Sequence, residues 1–116
     1  KATPRSFVPR LDFRTSAGFL DGHGARARSG ALGGGPRAVI TDFGILTPAA
    51  GSEELELSAL FERATTESAR AAVGWPLIVA PTVTTLAAPT ESELTTLRAL
   101  QSRTREAHRR PVHLPA

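Results

Sequence analysis

With 116 residues, 41% of them hydrophobic, the chain suits one small domain with a modest core. The absence of cysteine excludes a disulfide scaffold and a thiolate metal site, and it agrees with a reducing cytoplasm, the expected location. The formal net charge of +3 is divided along the chain: residues 1–37 sum to +5, 38–97 to −6 and 98–116 to +4. A nucleic-acid binder presents one continuous basic surface with aromatic platforms, whereas five Phe, one Trp and no Tyr accompany this broken pattern, so no nucleic-acid partner is expected.

From Arg5 to Thr15, the alternation of Leu11 and Phe13 with Asp12 and Arg14 predicts a half-buried strand limited by Pro4 and Pro9. Residues 16–36 contain seven of the ten glycines, and their short apolar interruptions break every periodicity. They form a long shaped loop, whose backbone groups need partners other than a regular ladder. Ala38-Val39-Ile40 reads as a buried strand, and Ile45 and Leu46 resume it after Gly44. The turn from Pro48 to Gly51 leads into Glu54-Leu55-Glu56-Leu57-Ser58, whose alternation predicts a strand with one wet face, paired with the one before. The acids Glu53, Glu54 and Glu56 are read as solubilising.

Thr65 or Thr66 can cap a short helix running to Val73, with Gly74 as its left-handed end. Trp75 to Ala80 reads as a strand, and Pro81 to Pro89 as a connector. No apolar run approaches the roughly 20 residues that cross a bilayer, so no membrane contact is expected. Thr90 and Glu93 make a capping box for a helix beginning at Glu91, with Leu94, Leu97 and Leu100 on one side. Its Arg98, Arg103 and Arg105 complement the helix dipole. The tail from Pro111 to Ala116 is expected to fray.

The chemical motifs are weak. Gly22-His23-Gly24-Ala25-Arg26-Ala27 matches the letters of a dinucleotide fingerprint without the strand before it or the helix after it. Gly33-Gly34-Gly35-Pro36 lacks the Gly-Lys-Ser/Thr of a phosphate-binding P-loop. Asp12, Thr15, Ser16, Asp21 and His23 are close in sequence, which is no sign of a catalytic triad. His23, His108 and His113 are too scattered for a metal site.

Spaced motifs carry more information. Phe7-Val8, the run from Leu11 to Gly22, Gly24-Ala25-Arg26, Gly33-Gly34-Gly35-Pro36 and Val39-Ile40-Thr41-Asp42-Phe43-Gly44-Ile45-Leu46 together resemble the B subunits of family I CoA-transferases, nearest to the glutaconate type. The resemblance continues through Glu67, Val73-Gly74 and Trp75 to Pro89-Thr90-Glu91-Ser92-Glu93-Leu94. It implies an α/β fold, here part of a three-layer fold with a mixed sheet flanked by helices and truncated at its amino-terminal side. Residues 1–116 are then a single domain, the carboxy-terminal half of a B-subunit-like domain, and the start at Lys1 is expected to be internal to a longer product.

What the resemblance implies chemically is attack of a glutamate carboxylate on an acyl-CoA thioester, passing through a glutamyl-CoA intermediate. No glutamate here matches that residue, so the chain is assigned no catalytic residue. Coenzyme A is expected as a substrate with no permanently bound cofactor, and the expected partner is an A-type (alpha) subunit. Substrate or CoA binding is placed on Asp21, Arg26, Gly33 and Gly34: glycine allows close backbone approach, amides can meet an oxyanion, and arginine can clamp a carboxylate. The competing expectation is a purely structural loop in which Arg26 pairs with Asp21. Two further readings stay open, a ring-opening hydrolase of CoA thioesters resembling this family in steroid degradation and a non-catalytic assembly module. The sequence departs from the family where it reads Gly30-Ala31-Leu32 for Gly-Leu-Pro and Phe61-Glu62-Arg63 for a His-Pro-Gly turn.

Overall fold

A computed structural model describes residues 1–109; the expected fraying at 111–116 lies outside them. Its elements are α1 (Ala25–Arg28), β1 (Val39–Ile40), β2 (Gly44–Pro48), β3 (Leu55–Phe61), α2 (Thr66–Ala71), β4 (Ile78–Leu86) and α3 (Glu91–Arg109). The strands form one mixed sheet in the order β1-β2-β3-β4, antiparallel except for the parallel β3–β4 pair, which α2 connects. The α/β class and the mixed sheet agree with expectation.

Leu46 and Leu57 are partners across β2 and β3, and both are fully buried. Around them collect Phe43, Ala69 and Val73 from the α2 region, Leu77, and Ala2 from the amino-terminal segment. Phe7 joins this cluster by stacking on Trp75 with ring centroids 6.1 Å apart. Gly44 lets β2 approach β3, since a Cβ there would lie 2.1 Å from the Ala59 carbonyl oxygen. Thr41 ties the preceding turn, its hydroxyl donating to the Gly44 carbonyl at 2.7 Å. The Ala2 amide donates to Asp42 Oδ1 at 2.8 Å, and that bond holds the Asp42 carboxyl below its ordinary pKa.

Several expectations are corrected. Residues 5–15 form turns rather than a strand, with Phe13 80% exposed, because no neighbouring strand supplies a ladder to which the alternation could respond. Ile40 lies in a strand but is 74% exposed at the sheet's edge. Pro81 does not end β4, which continues to Leu86. The pairing jumps from Leu57↔Val79 to Ala59↔Thr84, so the proline falls in an irregularity of an outer strand, where a missing N–H costs no ladder bond. Gly74 has no left-handed φ. Its need for smallness is steric: a Cβ would meet the Phe7 carbonyl at 2.8 Å and Pro9 at 2.9 Å. Phe61-Glu62-Arg63 keeps a turn after β3, closed by the Ala64 amide on the Phe61 carbonyl at 2.9 Å.

Of the three helices, α2 and α3 start as the capping logic predicts, while α1, inside the stretch read as a loop, starts at Gly24 with no side-chain cap. Thr65 and Ser68 exchange side-chain and backbone bonds at α2, and Thr90 and Glu93 do so at α3. The core covers one face of the sheet. Strand pairing places Ile40, Ile45, Glu56 and Ile78 on the other, where Ile40 and Ile78 stay exposed. The radius of gyration, 18.6 Å, exceeds the about 13 Å of a compact chain of this length.

Truncating Leu57 to Ala should cost about 2–5 kcal/mol, read as a lowered denaturant midpoint, whereas Ile40→Ala should change little. The bonds from Thr90 hold Glu93 below the ordinary glutamate pKa. Its cap therefore stabilises α3 above the unfolded-state pKa and is lost as pH falls through the folded one. Far-ultraviolet circular dichroism should show helix loss on acidification, and Glu93→Gln should remove that part of the pH dependence.

Candidate functional site

The glycine-rich loop is built around one side chain. Arg26, half-buried on α1, donates from Nε to the Gly33 carbonyl at 3.0 Å, from one terminal nitrogen to the Gly18 carbonyl at 2.8 Å, and from the other to the Leu32 carbonyl. A planar guanidinium can reach carbonyls on both limbs of a loop at once, which a lysine ammonium, a single point, does poorly. Phe19 and the Arg26 stem pack over Gly35, where a Cβ would lie 2.7 Å from the Phe19 ring and 3.2 Å from Arg26 Cδ. Gly35 has φ +80°, so both space and conformation require glycine there.

A second anchor joins the loop to the β2–β3 hairpin. Glu53, itself at φ +63°, accepts from the Gly24 amide at 2.9 Å. The His23 amide donates to the Ser52 carbonyl at 3.2 Å, and a Cβ on Gly22 would come within 2.7 Å of that same oxygen. Glu53 therefore orders the loop, which corrects its reading as a solubilising residue. No local signal could have shown this, because Glu53 and Gly24 are 29 positions apart and meet only in space.

Arg26 also orients the glycines. The peptide bonds of the described residues are all trans, and in a trans peptide the C=O and the following N–H point in opposite directions. With the Leu32 and Gly33 carbonyls turned toward Arg26, the N–H groups of Gly33 and Gly34 point away from it. Neither amide has an acceptor among the described residues. Both glycines are exposed, and two adjacent unpaired amides on one side of a loop can meet an anion or an oxyanion brought to them.

Of the four predicted residues, Arg26, Gly33 and Gly34 thus come together, while Asp21 takes a different partner. Asp21 lies 3.6 Å from Arg14, both side chains largely exposed, and Arg14 also donates to the Leu20 carbonyl at 3.3 Å. The expected Arg26–Asp21 pair is not formed. Arg14, Asp21, Thr15, Ser16, Leu20 and Ala25 border an open cleft of about 370 Å³. No cluster of His and acidic residues that could hold a metal occurs among the described residues.

No family model matches the chain. It is 44% identical over 108 residues to the B-type subunit of 3-oxoadipate CoA-transferase from Pseudomonas knackmussii, covering 93% of this chain and 42% of that protein. It is 35% identical over 80 residues to the B-type subunit of glutaconate CoA-transferase from Acidaminococcus fermentans, covering 68% of this chain and 30% of the relative. The chain belongs to the B subunits of family I CoA-transferases. The crystal structure of glutaconate coenzyme A-transferase from A. fermentans superposes with a TM-score of 0.74 at 32% identity, covering 83% of this chain and 37% of that one. This member of the family spans about two fifths or less of the length of the relatives it matches.

Replacing Arg26 by Ala or by Lys should free both limbs of the loop. Chymotryptic cleavage at Phe19 and Leu32 is expected to rise about tenfold, as the loss of bonds worth roughly 1–3 kcal/mol implies, while cleavage at Leu57 in the core stays unchanged.

Proposed function

We propose that this chain is part of a CoA-transferase subunit that moves coenzyme A between carboxylic acids when assembled with an A-type partner. The glutamate that attacks the acyl-CoA thioester and carries the glutamyl-CoA intermediate lies outside these 116 residues. The observation that carries the reading is the paired outward amides of Gly33 and Gly34, held by Arg26. Placed against a thioester carbonyl, they would stabilise the negative charge that develops on its oxygen as a carboxylate adds. Arg26 has three of its nitrogens committed to loop carbonyls, so its part is to position these amides, and its positive charge favours a nearby anion. Asp21, paired with Arg14, would shape the neighbouring cleft.

The relatives' names, 3-oxoadipate and glutaconate, are both dicarboxylates. A dicarboxylic acid is therefore the proposed substrate class, with coenzyme A as a substrate rather than a resident cofactor. A second reading, that these residues serve assembly, draws on the uncovered sheet face and the extended shape.

The test is a CoA-exchange assay on the full-length product combined with its A-type partner, using an acyl-CoA donor and a free dicarboxylate acceptor. Acceptor-dependent appearance of new acyl-CoA is expected, with kcat falling about tenfold or more in Gly34→Pro, which deletes one amide donor. Thioester loss without an acceptor would replace the transferase by a hydrolase. Assembly without either activity would leave the structural role.

A further inference from the structure

α3 leaves the sheet after Leu86 and runs for 19 residues, about 28 Å at 1.5 Å per residue. None of its residues is buried. Leu94, Leu97 and Leu100 nevertheless share one side of it, spread over about 120° at 100° per residue, and Leu97 and Leu100 are 48% and 50% exposed. Charge is sorted along the axis: Glu91 and Glu93 occupy the first turn, and Arg98, Arg103, Arg105 and Arg109 follow, opposed only by Glu106. A helix that matched this surface would need an apolar stripe with the same charges in reverse order. The same helix turned end for end has it.

We propose that α3 pairs antiparallel with α3 of a second copy of this chain, about a two-fold axis beside Leu97. In that register Leu97 meets its own counterpart, and Leu94 meets Leu100 of the second copy at either end, giving a three-rung leucine contact. On one flank of the stripe Glu91 comes within about 3 Å, along the axis, of Arg105 of the second copy, and Glu93, which lies inside the stripe about 40° from Leu97, comes as close along the axis to Arg103. Long arginine side chains span that offset. The Thr90 bonds both fall on Glu93 Oε2, which leaves Oε1 for the arginine. The two macrodipoles also oppose each other.

One repulsion must be met. The axis brings Arg98 near Arg98 of the second copy, and each lies 3.5 Å from Glu91 of its own helix, whose carboxylate it shares with Arg105 of the second copy. Parallel pairing would instead set glutamates beside glutamates and arginines beside arginines. Three leucines per helix bury less than the roughly 1,000 Å² of a stable interface, so the pairing is a weak, concentration-dependent association. It rests on α3 alone and is independent of the transferase reading.

The chain has no cysteine, so single substitutions report contacts without background. Under mild oxidation Leu97→Cys should cross-link to itself. Leu94→Cys and Leu100→Cys should each stay unlinked alone, because the antiparallel register puts like residues about 9 Å apart along the axis, beyond disulfide reach. Mixed together, those two should link. Self-linking of Leu94→Cys as fast as that of Leu97→Cys would overturn the arrangement, as would the absence of linking in both Leu97→Cys and the mixture. As a measurement without cysteine, Glu91→Arg/Glu93→Arg and Arg103→Glu/Arg105→Glu chains should each sediment as monomers and associate when mixed. Unchanged self-association of either would also overturn it.

Discussion

The contact between Leu46 and Leu57 organises the rest of the structure. Among the described residues, these two side chains alone of the large ones are completely removed from water. They sit at the centre of the β2–β3 hairpin, where both its register and the seat for α2 are decided. Slipping the pairing by one residue would turn Leu57 to the bare face and Ser58 into the core. The irregularity between Ile45 and Leu46 absorbs one residue of β3 so that the leucines stay opposed while the strand continues to Phe61. Gly44, pressed against Ala59, allows this close approach.

The hairpin then determines the position of the loop. Its turn presents the Ser52 carbonyl and the Glu53 carboxylate to the backbone of residues 22–24, and it does so from a rigid element. The remaining length of loop is closed internally, by Arg26. A loop of many glycines has few side chains with which to hold its two limbs together. A single guanidinium serving three carbonyls answers that need and, through the planarity of the peptide bond, also aims the intervening amides outward. Structure and potential function are here consequences of the same hydrogen bonds.

Other parts of the molecule are less complete. Ile40 and Ile78 are exposed on the second sheet face, and the leucine side of α3 lies open. A radius of gyration well above that of a compact domain expresses the same thing, an arrangement of elements with less core than surface. Apolar surface of this kind is normally found where something else binds. Local signals, by contrast, were legible wherever the physical cause was itself local. The caps at Thr65 and Thr90 depend on residues three positions apart, the paired strands β2 and β3 on alternation, and the family on motifs spread over much of the chain. The strand expected at residues 5–15 failed because alternation creates a face and cannot supply a neighbour. The connector expected after Pro81 failed because a proline's lost donor matters only where a ladder bond would form, and strand order is not written in one strand.

By itself the sequence determined the class of fold, the family, and the capped starts of α2 and α3. Tertiary structure alone decided that Arg26 serves the loop rather than Asp21, that Glu53 anchors it, and that Gly74 is required for space rather than for handedness. These are properties of pairs whose members are distant in sequence, and their energies exist only once the chain has brought both members to hydrogen-bonding or van der Waals distance.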